Sequence, residues 1–195
     1  MNTNCGFLQG RDCISGLDGR TVGDFWQWGY SDILSNRNRS IFAEYMVGAA
    51  LRVLDKPRVE WDTVDFRYGG TKIEVKSFAY CQSWSQNKPS PIRFSIKKAL
   101  AWDPDRGAYE PSAARNADVY VFCLHAEQDK LKADVLDVDT WDFYTVPTSV
   151  LNRDFTEKKG ISLSAIQLLG IRSKWRELKT AVDKIVTEIA AYPGN

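Results

Sequence analysis

Residues 116–125, NADVYVFCLH, form an almost uninterrupted run of apolar side chains. A strand with one face in water alternates apolar and polar residues, whereas a strand buried on both faces does not. We therefore predict a central strand here, with other elements packed on each side of its sheet. The elements predicted around it are a helix, then at least three strands, then a second helix. This order indicates a single α/β fold built on a mixed sheet.

Two amphipathic helices are predicted, one before and one after the strands. The first starts at Asn38 or Ser40, which are good N-cap residues, and runs to Leu54, with Pro57 beyond its end. Apolar residues at helical spacing predict its buried stripe: Phe42, Tyr45, Met46, Ala49 and Val53. The second helix covers residues 173–192, and the same spacing predicts a buried stripe of Trp175, Leu178, Val182, Ile185 and Ile189.

The N-terminal part of the chain contains two different segments. Residues 1–20 are polar and contain glycine without periodicity, so we predict a flexible arm ahead of one domain that spans residues 21–195. The segment GDFWQWGYSDIL (23–34) carries aromatic residues at alternating positions. It is interpreted either as a packed lead-in segment or as a dimer surface, and we favour core packing.

Composition excludes several classes of function. The formal net charge is +1, so binding to nucleic acid would require a local basic patch. The only histidine is His125, which rules out a histidine-rich zinc site and an HExxH metalloprotease helix and which we expect to be structural. No GxGxxG, GxxxxGK[ST] or GxSxG motif occurs. Carboxylates, lysines and a metal ion remain as candidates for catalysis.

The sequence also contains features that bear on where in the cell the protein is found. No apolar run approaches the roughly 20 residues that a membrane span needs, and the N-terminus lacks a secretory signal. The four cysteines show no CxxC spacing, which favours reduced thiols. We therefore expect a cytoplasmic protein that does not bind membranes.

A β-hairpin is predicted within VEWDTVDFRYGGTKIEVKSFAY (59–80), because two strand-like segments flank a Gly-Gly pair that suits a two-residue turn. In that register, the numbers of facing residues sum to 139, so Asp65 lies opposite Glu74 and Thr63 opposite Lys76. Carboxylates that face each other across a ladder repel. A cation between them would remove the repulsion, whereas a one-residue slip in register would separate them.

Glu74 and Lys76 share one face of the second strand, since strand side chains alternate with a period of two. Either this is a solvated polar face, or it is part of a metal-dependent active site. Glu44, on the first helix, has Ile41, Gly48 and Leu51 as its helix neighbours and no charged companion there. It is either an exposed residue at the edge of the helix or a further member of the site.

These residues, in this order, resemble the PD-(D/E)XK nuclease superfamily, which has the restriction-endonuclease-like fold. The resemblance rests on Glu44 on a helix, Asp65 at a strand and Glu74-x-Lys76 on the next strand, and it covers residues 38–125 in topology. The stretch SFAYCQSW after the lysine also resembles some members. One position departs from the pattern, because Val64 stands where many members have proline. Asp62 is a rival to Asp65 for the acidic position.

The resemblance implies a three-layer α/β/α core with a mixed central sheet and a metal-dependent DNA endonuclease that hydrolyses phosphodiester bonds. Asp65, Glu74 and the backbone carbonyl of Val75 would hold Mg²⁺, for which Mn²⁺ could substitute, and Glu44 would complete the shell or bind a second ion. Hard oxygen ligands suit this ion. Lys76 would assist the attacking water. The competing hypothesis is a non-catalytic nucleic-acid-binding or assembly subunit with the same fold.

Residues around this core are candidates for contacts with DNA, which we expect to be double-stranded. The segment SPIRFSIKKALAWD (90–103) predicts a half-buried strand whose outer row, with Lys98, is basic: Arg93, Lys97 and Lys98. Gln82 would orient the water or contact DNA, as a glutamine does in some members, or else would bond neighbouring backbone. Trp84 would stack on a base or pack, and we favour packing. A cut in both strands would favour a homodimer.

Overall fold

A five-stranded sheet organises the computed structural model, which describes residues 6–60, 62–103 and 106–191. The sheet strands are β1 (Phe66–Tyr68), β2 (Thr71–Ala79), β6 (Val119–His125), β7 (Trp141–Pro147) and β9 (Ile171–Ser173). Two short two-stranded sheets pair β3 (Arg93–Ser95) with β8 (Gly160–Ser162), and β4 (Trp102–Asp103) with β5 (Ala108–Tyr109). The helices are α1 (Val22–Tyr30), α2 (Asn36–Leu51), α3 (Thr148–Asp154), α4 (Leu163–Leu169) and α5 (Trp175–Ala191), with a 3-10 turn at Val138–Thr140.

The sheet is mixed, as predicted. Its strand order is β1-β2-β6-β7-β9, with β2 and β6 parallel and the other neighbours antiparallel. The predicted central strand is confirmed, because all seven residues of β6 are buried. Both faces of the strand therefore carry a packed layer.

Each face of the sheet has its own hydrophobic cluster. On one face, α2 and α5 pack on residues such as Val75, Val121 and Phe143. On the other face, side chains of β3, β8, α3 and α4 pack on Tyr120, Phe122 and Tyr144. The chain thus has a mixed α/β fold, and the side chains of β2 alternate between the two clusters.

Helix α2 confirms the first predicted helix with shifted limits. It begins at Asn36 behind the N-cap Ser35 and ends at Leu51, because Arg52 adopts a left-handed conformation with φ of 60°. The predicted stripe was partly wrong, since Tyr45 is 59% exposed and Val53 lies beyond the helix end. Met46 is buried as predicted and Phe42 packs against the core, whereas the other buried apolar residues of the helix are Ala43, Val47 and Leu51. Spacing alone did not distinguish this stripe from the neighbouring one.

Helix α1 corrects the prediction that the aromatic segment packs into the core. None of its residues is buried, and Trp28 is 85% exposed. Local signals account for the helix, because Thr21 and Asp24 form a capping box. Gly23 donates a backbone hydrogen bond of 2.7 Å to Gly10, and a side chain at Gly23 would meet that carbonyl oxygen at 2.8 Å. The alternative, a dimer surface, stays a prediction.

The C-terminal helix is confirmed by α5, of which Leu178, Val182 and Ile185 are buried. Trp175 also anchors it, donating a hydrogen bond of 2.9 Å to the carbonyl oxygen of Met46 in α2. The last predicted residue of this helix, Tyr192, lies outside the described residues. Within the described part of the chain, no helix has the length and apolar character needed to cross a membrane.

His125 predicts a pH dependence of stability. It is fully buried at the end of β6, where its ring packs edge-on against Trp141 with centroids 5.3 Å apart. Burial lowers the pKa of this imidazole, and the carbonyl of Asp134 opposes that shift only in part. The unfolded chain therefore binds the proton more readily, so stability is fully present above the ordinary pKa of about 6.5 and is lost as pH falls through the lowered value.

We expect the substitution His125→Gln to remove that slope. Urea unfolding of the wild type and of the variant between pH 5 and pH 8 would measure it, and the difference between the two proteins cancels the titration of carboxylates. Identical slopes in the two proteins would contradict the assignment to His125.

Candidate metal centre and active site

The predicted hairpin register is confirmed. Phe66 pairs with Ile73, Arg67 with Lys72 and Tyr68 with Thr71, so the numbers of facing residues sum to 139. Gly69 and Gly70 form the turn with φ of 56° and 83°, values that glycine adopts most readily. The ladder is shorter than predicted, because β1 starts only at Phe66. From Glu74 onward, β2 consequently has no β1 partner along that edge.

Asp65 occupies the position just before β1, and continuing the register places it opposite Glu74. Its Oδ2 accepts a hydrogen bond of 2.6 Å from the backbone N–H of Val75. The N–H and C=O of a strand residue point toward the same neighbouring strand. The carbonyl of Val75 is therefore directed to the side of Asp65, beyond the start of the β1 ladder.

Glu74 and Lys76 lie on one face of β2, as predicted. Their register partners on β6 are Tyr120 and Phe122, which belong to the cluster on that same face. Lys76 Nζ forms an ion pair with Glu74 Oε1. The two side chains are only 33% and 20% exposed, so the solvated-face interpretation does not describe their surroundings.

The interpretation of Glu44 as an exposed residue at the edge of the helix is wrong, because Glu44 is only 9% exposed. Its charged companion is Arg58, in the segment between α2 and β1. Nε of Arg58 donates to Oε2 at 2.5 Å, and Nη2 donates to Oε1 at 3.0 Å. Gly48, one turn further along α2, faces the side chains of Leu54 and Phe66 rather than a backbone segment.

One cavity of about 480 Å³ collects most of the predicted residues. It lies along the edge of β2 that β1 leaves open, where side chains from α2, β2, β3 and the segment before β1 meet. Its charged lining consists of five carboxylates and three basic side chains, a net charge of −2 with all of them ionised: Glu44, Glu60, Asp62, Asp65, Glu74, Arg58, Lys76 and Arg93. One divalent cation would balance that charge.

The pKa of Asp65 reflects both its partial burial and the neighbouring carboxylates. Its pKa is raised to about 7, first by burial and then by Glu74 and Glu44, while the Val75 N–H and Lys76 oppose the rise. The ionised form of Asp65 is therefore costly in the metal-free protein. A cation next to this carboxylate would stabilise the ionised form.

The structure does not bring every predicted residue to this cavity. Gln82 is 1% exposed, donates to the carbonyl of Ala79 at 2.8 Å and accepts from Nη1 of Arg39 at 3.1 Å. Of the two roles considered for Gln82, the bond to neighbouring backbone is the one observed. Gln82 also accepts a hydrogen bond from the buried guanidinium of Arg39. Burial lowers the pKa of Arg39 to about 10.

The basic row predicted on the third strand divides between two sites. The alternation of burial is confirmed, with Phe94 and Ile96 buried and the basic residues exposed. The strand is much shorter than predicted, since β3 ends at Ser95 and leaves Lys97 and Lys98 beyond it. Arg93 lines the acidic cavity, whereas Lys97 and Lys98 line a second cavity of about 370 Å³. Lys158 and Lys159 line this second cavity too, and Lys98 pairs there with Glu157 at 2.9 Å. We call Lys97, Lys98, Lys158 and Lys159 the lysine cluster.

Two further outcomes concern residues near the cavity. Asp62 also lines it, but its side chain is exposed, which leaves Asp65 as the carboxylate bonded to β2. The prediction that Trp84 packs was wrong, because its side chain is 52% exposed.

Two functional candidates were missed in the sequence, Arg58 and the second half of the lysine cluster. Both lie in irregular segments, so no periodicity pointed to them, and their proximity to the predicted residues depends on the tertiary fold. A bidentate arginine partner for a helix glutamate has no spacing signature.

In the described ranges 6–60, 62–103 and 106–191, no group of three or more histidine, cysteine, aspartate or glutamate side chains is arranged to hold a metal ion. Comparison of the chain with protein-family models, with curated proteins and with solved structures gave no match.

Proposed function

We propose that this protein is a Mg²⁺-dependent DNA endonuclease of the PD-(D/E)XK type, on a restriction-endonuclease-like α/β/α core. The observation that supports it most is a half-buried carboxylate, Asp65, in a cavity of net charge −2 that Lys76 also lines. The helix, hairpin and parallel strand occur in the order that the resemblance implies.

The donors suit a magnesium ion. Asp65 and Glu74 supply carboxylate oxygens, the Val75 carbonyl is directed toward the same side, and water fills the remaining positions around an ion that dehydrates reluctantly. When bound, the ion would lower the pKa of water and stabilise charge on the phosphate. Two carboxylates are sufficient for such a site, so the absence of a three-carboxylate group is compatible with it.

Lys76 holds the attacking water and stabilises the charge that develops on the phosphate. Its ammonium group is already fixed by Glu74, on the face that lines the cavity. In the reaction, a water oxygen forms a bond to phosphorus and the bond from phosphorus to one ester oxygen breaks. The proton of the water passes to solvent through the cavity, and the leaving oxygen takes up a proton from solvent.

The first test is incubation of the purified protein with linear, supercoiled and single-stranded DNA in Mg²⁺, Mn²⁺ or EDTA. We expect cutting that requires a divalent ion, and the three substrates would reveal which form is preferred. A protein that binds DNA but cuts none of the three in either metal would support the competing hypothesis of a non-catalytic nucleic-acid-binding subunit. Gel filtration with and without duplex would test the proposed homodimer.

The lysine cluster predicts a measurable salt dependence. We propose that it binds phosphates of the duplex flanking the cut, since Lys97 is exposed just past the end of β3, the strand that carries the cavity residue Arg93. Each phosphate contact contributes about 0.9 to the slope of log affinity against log salt. The double variant Lys97→Gln, Lys159→Gln should therefore reduce that slope by about 2.

Matched exposed charges on α5 provide the control for this measurement. Arg176 and Lys184 are exposed on a helix that covers the opposite face of the sheet. The double variant Arg176→Gln, Lys184→Gln removes the same charge and should leave the slope unchanged. Equal reductions in the two double variants would indicate only a general effect of net charge and would contradict a specific contact.

A further inference from the structure

Glu44 holds Arg58 through two parallel hydrogen bonds, which fix the plane of the guanidinium group as well as balance its charge. The side chain of Glu44 is 12% exposed and that of Arg58 is 37% exposed, so the carboxylate is the more buried partner and the guanidinium the more accessible one. Arg58 also lines the acidic cavity together with Asp65, Glu74 and Lys76.

The guanidinium retains donors for a second acceptor. Arginine carries five N–H groups in a rigid plane, and the two bonds to Glu44 use Nε and one hydrogen of Nη2. Three N–H groups thus remain beyond those that Glu44 accepts. A planar fork of this kind matches the oxygens of a phosphate better than the point charge of lysine does.

The carboxylate of Glu44 has different hydrogen-bond partners from that of Asp65. Both of its carboxylate oxygens accept from Arg58, whereas Asp65 accepts through Oδ2 from the backbone N–H of Val75. To act as a metal ligand, Glu44 would have to coordinate through an oxygen that already accepts from the cationic guanidinium, which competes with the metal for its charge.

From these contacts, and resting on the proposed nuclease function, we propose that Arg58 binds a phosphate group of the DNA in the acidic cavity. Glu44 is then the positioning residue that orients Arg58, and it is not a ligand of the metal ion. The metal neutralises the surplus carboxylates, and Arg58 supplies a directional contact to the substrate once that charge is balanced.

The test separates binding of the metal from binding of DNA. All variants are made in a Lys76→Met background so that DNA stays intact, which a gel verifies. Titration calorimetry measures Mn²⁺ binding without DNA, and fluorescence anisotropy measures the affinity for a short labelled duplex at saturating Mn²⁺. Thermal unfolding of each variant verifies that it is folded.

We expect Arg58→Gln to weaken DNA binding by about tenfold or more, the effect of losing a hydrogen bond to a charged group, with Mn²⁺ affinity unchanged or higher. Arg58→Lys should restore part of the affinity, since it keeps the charge without the fork. Glu44→Gln should weaken DNA binding while Mn²⁺ stoichiometry stays the same.

The chain provides a matched control in Arg153 and Asp154, which form the same fork at 2.7 and 2.8 Å on α3, outside the cavity. Arg153→Gln and Asp154→Asn should change neither measurement.

Loss of Mn²⁺ binding in Glu44→Gln, with normal DNA binding in Arg58→Gln, would overturn the inference and make Glu44 a metal ligand. A parent protein that binds Mn²⁺ but no DNA would overturn the role of Arg58, and cleavage by the wild type would then decide separately whether the proposed function stands. Binding of neither would overturn the proposed function as well.

Discussion

Asp65→Asn is expected to abolish metal-dependent DNA cleavage and, at the same time, to make the metal-free protein more stable. The folded protein raises the pKa of Asp65 from 3.8 to about 7, so the ionised carboxylate is less favourable in the folded than in the unfolded state. Because the pKa is raised, this residue's contribution to stability is lost as pH rises from about 4 through 7. Asparagine keeps the shape and can still accept from the N–H of Val75, without the charge.

We expect the free energy of unfolding in EDTA at pH 8 to rise by roughly 1–3 kcal/mol, since one pKa unit corresponds to about 1.4 kcal/mol and the site is partly hydrated. Urea unfolding at pH 5 and pH 8 would measure it, with a smaller gain at pH 5. The stabilisation that Mn²⁺ gives to the wild type should vanish in the variant.

The control for this experiment is Asp62→Asn, which removes an exposed carboxylate that lines the same cavity. It should alter neither stability nor the response to Mn²⁺. If Asp65→Asn is less stable than the wild type and still responds to Mn²⁺, the carboxylate is a structural hydrogen-bond acceptor and the metal lies elsewhere.

Lys76→Met should reduce cleavage by about 10²–10³-fold, the usual loss when one preorganised donor to the charge developing in the transition state is removed. Methionine keeps an unbranched apolar stem and removes the ammonium group that pairs with Glu74. Mn²⁺ binding should persist or tighten, because the lysine no longer competes for the carboxylate. The variant would therefore bind the metal without turning over DNA.

Single-turnover cleavage and Mn²⁺ calorimetry on the same preparations would measure the two effects. Lys72→Met is the matched control, because Lys72 lies on the same face of β2 but does not line the cavity. Cleavage that survives in Lys76→Met would point to a contaminating nuclease or to another site on this chain.

Local patterns in the sequence were sufficient for the central part of this site. The period of two placed Glu74 and Lys76 on one face, and the Gly69-Gly70 turn set the register that brings Asp65 opposite Glu74. The apolar run at Val119–His125 predicted the buried strand that lies parallel to β2. Each of these depends on backbone geometry over a few residues, which sequence patterns represent well.

Patterns were less successful where two faces of an element had similar composition. Helix α2 buries Ala43 and Val47 while Tyr45 is exposed, because the sheet and α5 determine which stripe is covered. The aromatic residues of α1 form a helix with no buried side chain, since a capping box alone is enough to start it. Hydrophobicity predicted burial there, but no element of the described chain covers that face.

What the sequence determined by itself is the mixed α/β order, the hairpin and the strand face that carries the glutamate and the lysine. Only the tertiary structure decided the partners that come from distant or irregular segments. It paired Glu44 with Arg58, buried Gln82 against Arg39 and joined Lys97 and Lys98 to Lys158 and Lys159. The physical reason is that charges and hydrogen bonds act between side chains close in space, and the chain segments that carry these partners have no regular spacing that would reveal their proximity.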